Sequence, residues 1–466
     1  MKFTFLILLL ALVSNNPGHA QRNQWAKEKL KVSENGRFLC FEDSTPFFWL
    51  GDTGWCLGFN LNREEAEHYL NVRKEQGFNV IQMMLMWKFP SVNVYGRIFN
   101  ADFSDSGNIE EDESYSYWDH IDYIVDLAEK RGIYIAMLPT WGSVANKGLF
   151  TKEKAETYGK FLALRYKDKP NIIWVNGGDV DASVKLAIWN TLGETIKKYD
   201  TNHLMTFHPR GRSTSVTWFQ KTSWLDIHMF QSGHVRYGQT FSPDKKYEGN
   251  YQEEDNWRFV EQGYAASPAK PILDGEPSYE DIPQGLRSGN EPRWSASDAR
   301  RYAYWSVFSG ACGHTYGNNA VMLMHKPGYR ELYFNSRYWY DAIYDKGAQQ
   351  LKYLKDLMLK FPYFDRVPDQ TIIAAPNGEK YDRIIATRGK DYLLAYTYDG
   401  CDLTLDLRKI SGETKNVWWM KPETGEVTFA GTYNNDIQTF YPAGRYRIGN
   451  DWVVIAVDSN VAYLKK

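Results

Sequence analysis

Short apolar runs of strand length recur between positions 46 and 316, and amphipathic stretches separate most of them. Runs that are apolar almost throughout are typical of parallel strands covered on both faces. Their alternation with helical periodicity indicates repeated βα units. The eight predicted strands span residues 46–51, 79–87, 133–141, 171–176, 203–208, 225–230, 271–275 and 311–316.

The segments between these runs carry apolar residues with a helical period and the residues that begin and end helices. Asn62 followed by Glu65 resembles a capping box, and Gly77 ends the same predicted helix. Residues 180–199 are also predicted to be helical. Eight such units predict an α/β fold, a (β/α)₈ TIM barrel. An open doubly wound sheet is the alternative, but no GxGxxG or Walker-type loop follows the first strand.

From about residue 363 the pattern changes to alternating apolar and polar positions, as in 382–398 and 446–458. This alternation predicts an antiparallel β-sandwich. No Ser/Gly-rich linker precedes it, so we expect rigid packing on the barrel. The hairpin signal Asn35-Gly36 indicates strands outside the barrel. The predicted domains are a β extension at 21–45, a catalytic barrel at 46–362 and a C-terminal β-sandwich at 363–466.

The first twenty residues have the features of a secretory signal peptide: Lys2, an apolar run over 3–13, and the small residues Gly18 and Ala20. We therefore expect export to the periplasm or the extracellular space. No later segment approaches the ~20 uncharged residues that a transmembrane helix needs, so no membrane insertion is expected.

Composition narrows the ligand class. The net charge of −2 comes from an even mix of 55 basic and 57 acidic residues without a basic stripe, which argues against nucleic acid as a partner. Aromatic residues make up 16% of the chain, and their flat faces suit sugar rings. The four cysteines form no CxxC pair, so a zinc site is not supported, and free thiols are at least as plausible as a disulfide.

Two acidic residues at predicted strand ends carry the functional hypothesis. Asp179 ends the stretch NIIWVNGGD and Glu276 ends PILDGE, on the fourth and seventh predicted strands. Active sites of such barrels lie at the carboxyl ends of the strands, and a carboxyl pair there can cleave glycosidic bonds. The structural alternatives are that Asp179 caps the following helix, a role for which Asp181 competes, and that Glu276 is a surface loop acid.

The local context favours the catalytic interpretation. Gly177 and Gly178 allow a tight turn and the close approach of a ligand beside Asp179. Asp274 is expected to be a buried partner within the barrel. Further polar and aromatic residues follow the strand ends and are predicted to contact substrate: Asp52, Trp87, Trp141, Asn176, His208, Gln231, His314 and Tyr316.

The histidines also permit a metal-site interpretation, since a barrel hydrolase can hold zinc at its mouth. No HxH pair closes the first strand and no HExxH occurs, so His208, His228 and His314 are interpreted as sugar-binding donors or members of a polar network. No GxSxG elbow supports acyl transfer. We therefore predict no metal and no cofactor.

The motifs PFFWLGDTGW (46–55), WVNGGD (174–179) and LDGEPSYE (273–280) resemble those of the apiosidase-type glycoside hydrolases, glycoside hydrolase family 140. The resemblance extends over nearly the whole chain after the signal and includes a C-terminal β domain of the collagen-binding type. It implies release of apiose-linked side chains from the pectin rhamnogalacturonan II, with Asp179 as acid/base and Glu276 as nucleophile. The substrate would be a pectic oligosaccharide, and no obligate protein partner is implied.

The spacing of the two carboxyls decides the stereochemistry. Many related barrel glycosidases have an Asn-Glu pair at the fourth strand, where this chain has Asn-Gly-Gly-Asp. Retention predicts carboxyl groups about 5 to 5.5 Å apart, and a gap of roughly 6.5 to 9.5 Å would favour inversion. Two other functions are kept as alternatives, a metal-dependent barrel hydrolase and a non-catalytic glycan- or collagen-binding protein.

Overall fold

The computed structural model describes residues 29–99, 115–239 and 254–465. The predicted signal at 1–20 lies outside these residues. The first part of the chain contains the following strands in order: β1 Lys31–Val32, β2 Leu39–Cys40, β3 Pro46–Phe47, β4 Trp49–Thr53, β5 Val80–Met84, β6 Val92–Asn93, β7 Gly96–Arg97, β8 Tyr134–Leu138, β9 Ile172–Val180, β10 Met205–Pro209, β11 Ser213–Thr214, β12 His228–Gln231, β13 Ile272–Asp274 and β14 Gly313–Tyr316.

Eight of these strands form the predicted barrel. They are β4, β5, β8, β9, β10, β12, β13 and β14, and all neighbouring pairs among them are parallel in the order β10-β9-β8-β5-β4-β14-β13-β12. Hydrogen bonds from Asp226 N to Met205 O (2.8 Å) and from Thr206 Oγ1 to Ile227 O (2.8 Å) complete the ring between β10 and β12. The TIM barrel prediction is therefore confirmed against the open sheet.

The first predicted strand is divided in the structure. Its beginning belongs to a small antiparallel sheet of β1, β2 and β3 outside the barrel, and its end belongs to β4. The predicted hairpin signal lies between β1 and β2, where Gly36 has a φ of +71°. This sheet precedes the barrel in the chain.

The helices connect the barrel strands and cover their outer face. They are α1 Leu57–Asn60, α2 Arg63–Glu75, α3 Tyr117–Glu129, α4 Gly142–Asn146, α5 Lys152–Tyr166, α6 Leu186–Tyr199, α7 Val216–Phe219, α8 Trp257–Ala265, α9 Ala296–Phe308, α10 Trp339–Ala342, α11 Lys346–Gln350 and α12 Lys352–Lys360. The capping box at Asn62 and Glu65 is confirmed. Among the helices of the described residues, none is long and apolar enough to cross a membrane.

The C-terminal part is antiparallel, as predicted. Its strands are β15 Val367–Pro368, β16 Ile385–Arg388, β17 Tyr392–Thr397, β18 Leu403–Asp406, β19 Thr414–Lys421, β20 Glu426–Asn434, β21 Ile437–Phe440 and β22 Trp452–Asp458. Six of them form one sheet, and β18 pairs with β21 in a second. An apolar core that includes Leu393, Leu405 and Val454 joins the two sheets.

Buried polar contacts fix this domain against the barrel. Arg300 of α9 forms an ion pair with Asp451 (2.7 Å), and both side chains are almost fully buried. Arg366 donates to the carbonyl of Ala311 just before β14 (2.8 Å). The four cysteines of the chain are free thiols.

Candidate active site

Asp179 lies on a β-bulge near the end of β9. His208 of β10 is paired with Gly177 and Pro209 is paired with Val180, so Gly178 and Asp179 are extra residues in the ladder. Asp179 has a φ of +51°, a left-handed conformation that is strained for a side chain other than glycine. Bulges next to active sites redirect a side chain. The bulge turns Asp179 out of the strand, and its side chain is accessible to solvent.

The two glycines before Asp179 are required by close protein packing. A Cβ at Gly177 would lie 2.6 Å from the carbonyl oxygen of His208, and one at Gly178 would lie 3.2 Å from Cα of Trp141. Both glycines also have positive φ angles. The sequence-based expectation that they leave room for a ligand is corrected, because neighbouring backbone occupies that room.

Asp181, and not Asp179, caps the segment that follows β9. Its side chain accepts a hydrogen bond from the backbone N–H of Ser183 (3.0 Å), at the start of a 3₁₀ turn over Ala182–Lys185. The predicted helix at 180–199 is therefore this turn followed by α6. A capping role therefore does not explain the acidic residue at position 179.

Glu276 lies just beyond β13 between two imidazoles. Its Oε1 accepts a hydrogen bond from Nε2 of His234 (3.1 Å), and its Oε2 lies 3.0 Å from Nε2 of His208. Both carboxylate oxygens therefore lie beside an imidazole nitrogen. Burial by itself would raise the pKa of Glu276, but the two imidazoles outweigh it and lower the pKa to about 2.

His208 connects the two acidic residues. Its Nδ1 accepts the backbone N–H of Asp179 (3.3 Å), so its ring proton is on Nε2, which faces Glu276. The ring is fully buried and packs edge-on against Trp55 at 5.1 Å. The imidazole therefore has a defined tautomer and orientation.

Asp179 has the opposite electrostatic environment to Glu276. Desolvation in the cleft and the nearby charge of Glu276 raise the pKa of Asp179 to about 6, although the imidazoles of His208 and His234 act in the other direction. Two carboxyls whose pKa values are pushed apart are the usual basis for dividing acid and base roles. The arrangement can hold Asp179 protonated while Glu276 is ionised.

Aromatic side chains surround the two acids. Trp55 donates its indole N–H to the hydroxyl of Tyr279 (3.3 Å) and packs against Trp141 at 5.4 Å. Tyr279 also packs edge-on against His234 at 4.8 Å. Trp141 is partly exposed and lies 6.1 Å from the ring of His208. These rings form an apolar wall beside the acids.

Four predicted substrate contacts point away from the cleft. Asp52 forms a fully buried ion pair with Arg73 of α2 (2.7 Å), and Asn176 donates to the carbonyl of Trp189 in α6 (2.7 Å). His314 contacts Ser306 of α9 (3.2 Å), and Tyr316 donates to Glu280 (2.6 Å). The expectation for these four residues is corrected, because they hold the outer helices and loops against the barrel.

The other predicted contacts lie on the inner side. His208 touches Glu276, Trp141 lines the cleft, and Trp87 is partly exposed in an adjoining cavity. Gln231 is almost buried at the end of β12, and its Oε1 has no partner among the described residues. Asp274 is buried with Ser232 and Asn256, and burial raises its pKa to about 7.

Sequence reasoning missed three residues of the site. His234, which binds Glu276, has a φ of +76° in the loop after β12. Tyr279 follows Glu276 closely, and Tyr333 lies in the loop after β14, where burial and the charges of Glu276 and Asp179 raise its pKa. His234 could have been found as a histidine shortly after a strand end, but nothing local marked Tyr333.

The remaining histidines near strand ends have structural partners. His228 contacts Ser215 and Gln220, and burial lowers its pKa to about 3. Burial likewise lowers the pKa of His314 to about 3. Within residues 29–99, 115–239 and 254–465, no group of three or more His, Cys, Asp or Glu side chains has the arrangement of a metal site.

Comparisons with known proteins agree with this geometry. A family model described as "Apiosidase-like, catalytic domain" matches residues 33–365, and one described as "Putative collagen-binding domain of a collagenase" matches residues 367–457. A search of curated proteins gives no match.

Two solved structures are similar over nearly their full length. One, described as a glycoside hydrolase, is 52% identical with a TM-score of 0.92 and covers 95% of this chain and 99% of its own. The other, a family 5 glycoside hydrolase from Bacteroides vulgatus, is 49% identical with a TM-score of 0.93 and covers 95% and 96%.

Proposed function

Because the chain belongs to the apiosidase-like family of glycoside hydrolases, we propose that it cleaves apiose-containing linkages of plant pectin, in the side chains of rhamnogalacturonan II. Asp179 serves as acid/base and Glu276 as nucleophile. The observation that carries the proposal is geometric: Nδ1 of His208 accepts the backbone N–H of Asp179 (3.3 Å), and Nε2 of the same ring lies 3.0 Å from Oε2 of Glu276. The pKa values of the two acids are displaced in opposite directions, upward for Asp179 and downward for Glu276.

In the first step, Asp179 donates its proton to the glycosidic oxygen as the bond to the anomeric carbon breaks. Oε2 of Glu276 attacks that carbon and forms a glycosyl ester. In the second step, Asp179 takes a proton from water, the water oxygen attacks the anomeric carbon, and the ester bond breaks to release the sugar and ionised Glu276. No step requires a cofactor.

The environment of Glu276 favours nucleophilic attack and hence retention. A general base must accept a proton from water, and a carboxylate with a pKa of about 2 is a weak base. The imidazoles of His208 and His234 stabilise its ionised form, which is the form that attacks carbon. Inversion would instead need Glu276 to activate water across a wider gap.

Export is part of the same proposal. A pectic polysaccharide is too large to cross a membrane intact, so the enzyme must meet it outside the cytoplasm. The apolar run at 3–13 with small residues before position 21 supports delivery to the periplasm or the extracellular space.

The test uses Glu276→Gln and Asp179→Asn on pectic oligosaccharides that carry apiose, with glycosides that lack apiose for comparison. We expect the rate of sugar release to fall by roughly 10²-fold or more in each variant, since each substitution removes a reacting group. Asp181→Asn is the matched control, because it lies two positions from Asp179 and keeps its turn-capping oxygen. Parental sugar release by both active-site variants would overturn the assignment.

Two added measurements separate the alternatives. Proton NMR of the first anomer released distinguishes retention from inversion. EDTA treatment leaves activity unchanged if the two carboxyls act alone and abolishes it if a metal is required. A binding protein without catalysis would release no apiose and would keep its ligand in both variants.

A further inference from the structure

Gln231 is the last residue of β12, and its side chain faces the inside of the barrel. Two earlier residues of the same strand lie on the outer side. Phe230 packs on Phe259 of α8 at 5.2 Å, and His228 contacts Gln220, the residue after α7. Since side chains alternate along a strand, Gln231 points the opposite way. It therefore belongs to the layer of side chains at the carboxyl ends of the strands, where barrel active sites lie.

The backbone around Gln231 is held on both sides. Its carbonyl accepts the N–H of Arg212, just before β11 (2.8 Å). The next two residues, Ser232 and Gly233, donate their N–H groups to the carbonyl of Glu276 (3.2 and 3.1 Å). The side chain of Gln231 therefore extends from a fixed backbone beside the proposed nucleophile.

The side-chain amide of Gln231 differs from other buried amides of the barrel. Asn176 donates to the carbonyl of Trp189 (2.7 Å), and Gln82 donates to the carbonyl of Gly275 (2.8 Å). Gln231 is only 4% exposed, yet its Oε1 has no hydrogen-bond partner in the described part of the chain. Because an unpaired buried amide costs free energy, we expect a ligand to supply the partner.

The position of Gln231 suits contact with the sugar that Glu276 attacks. In the barrel, β12 lies between β10, which carries His208, and β13, which leads to Glu276. Nε2 of His208 lies 3.0 Å from Oε2 of Glu276, so side chains from both neighbours of β12 meet at its end. A sugar whose anomeric carbon approaches Glu276 is therefore close to Gln231. An amide has both a donor and an acceptor, as a sugar hydroxyl does.

One sugar hydroxyl matters most to this chemistry. A hydrogen bond to the 2-hydroxyl, next to the anomeric carbon, strengthens in the transition state of glycoside hydrolysis. Asn176 does not provide this bond, because its amide is bound to the carbonyl of Trp189. Of the two amides among the predicted substrate contacts, Gln231 is the one that remains on the inner side.

We infer that Gln231 is a specificity-determining residue whose side-chain amide binds the 2-hydroxyl of the sugar attacked by Glu276. The inference rests on the proposed function, since it uses the site around Glu276. It adds that the enzyme discriminates against sugars that lack this hydroxyl. The contact acts mainly on kcat, because only interactions that are stronger in the transition state than in the ground state accelerate the chemical step.

The test combines Gln231→Met with an aryl apioside and its 2-deoxy analogue. Methionine is unbranched and close to glutamine in length, but it has no amide. Each comparison uses one substrate with two enzymes, so the intrinsic reactivity of the deoxy sugar cancels. The interaction between the amide and the hydroxyl is then the part of the loss that requires both groups.

The two substrates should respond differently to Gln231→Met. On the apioside, we expect kcat/KM to fall by about ten- to hundredfold, mainly through kcat. On the 2-deoxy analogue, we expect kcat/KM to stay within about twofold of the parent value, because the partner of the amide is already missing. Steady-state kinetics of both enzymes on both substrates measures the difference.

Gln220→Met is the matched control, since the amide of Gln220 contacts His228 (2.6 Å) and donates to the carbonyl of Pro268 (2.7 Å) outside the barrel. Any effect of this change should be equal on the two substrates. An equal loss on both substrates in Gln231→Met overturns the inference and assigns the amide to the structure of the barrel. A loss that disappears only with an analogue lacking another hydroxyl overturns the choice of the 2-hydroxyl.

Calorimetry with Glu276→Gln measures the same contact without turnover and without a change at position 231. We expect the apioside to bind about threefold or more tightly than its 2-deoxy analogue, and equal binding overturns the inference. If the parent hydrolyses glycosides of another sugar and not apiosides, the proposed substrate fails. The same pair of substrates, built on the sugar that is hydrolysed, then decides the role of Gln231 separately.

Discussion

Asp179 donates its backbone N–H to Nδ1 of His208, and Nε2 of the same ring lies 3.0 Å from Oε2 of Glu276. The backbone of Asp179, the proposed acid/base, therefore orients the ring that stabilises the proposed nucleophile. The β-bulge at Gly178 and Asp179 makes this possible, since it brings the backbone of β9 against the side chain of β10. We therefore expect a substitution of Asp179, His208 or Glu276 to disturb the other two residues.

The pH dependence of activity follows from the two carboxyls. Glu276 must be ionised, so activity is lost as pH falls through its pKa of about 2. Asp179 must be protonated, so activity is lost as pH rises through its pKa of about 6. We expect a bell-shaped kcat/KM profile with its optimum on the acidic side of neutrality. A profile rising from pH 6 to 9 would contradict the assignment.

His208→Ala should impair catalysis more than binding. It leaves Glu276 with one imidazole and removes the acceptor of the Asp179 N–H, so the pKa of Glu276 rises and the bulge loosens. We expect kcat to fall roughly 10²-fold with a smaller change in KM. Steady-state kinetics across pH measures both effects. A variant with altered KM and parental kcat would make His208 a substrate ligand only.

Asp179→Asn should stabilise the fold at neutral pH. The folded-state pKa of Asp179 lies above its ordinary value, so folding holds a proton that the unfolded chain releases, and stability falls as pH rises from about 4 through 6. The uncharged amide of the Asn variant removes this pH-dependent loss of stability and the repulsion between the two carboxylates. We expect a melting temperature higher by roughly 1 to 3 °C at pH 7 and no gain near pH 3. Calorimetry at pH 7 and at pH 3 measures the change in melting temperature and checks its direction.

Asp52→Ala should lower stability and leave substrate affinity of the folded fraction unchanged. The substitution leaves the fully buried guanidinium of Arg73 without its partner carboxylate. Breaking a buried ion pair in this way costs about 3–5 kcal/mol. Denaturant unfolding measures the loss, and KM below the melting range tests the second part. An increased KM with parental stability would restore Asp52 as a substrate contact.

Gly177→Ala should destabilise the site locally. Its φ of +91° disfavours a side chain, and the new Cβ would lie 2.6 Å from the carbonyl oxygen of His208. We expect a loss of about 1–3 kcal/mol in unfolding free energy and a strong loss of kcat. Gly148→Ala is the control, since it shares a positive φ but has open space around its Cβ. Equal effects of the two changes would show that clash with His208 is irrelevant.

The barrel could be predicted because its strands are short apolar runs bounded by turn residues, and both features are local properties of the sequence. The same reasoning placed Glu276 and Asp179 at strand ends, where the structure also has them, because the ends of apolar runs are visible in the sequence. It misjudged Asp52 and Tyr316, which are also at strand ends. These two are paired in register on neighbouring strands and share the outward face, against Arg73.

The sequence by itself determined the order of strands and helices, the change to an antiparallel domain, and the two acids at strand ends, because hydrophobic periodicity and turn residues are local. Only the tertiary structure decided which side of each strand faces the cleft, how the bulge turns Asp179, and that His234 and Tyr333 reach the site. These three features depend on contacts between residues that are far apart in the chain. A shift of one position along a strand also reverses the direction in which a side chain points.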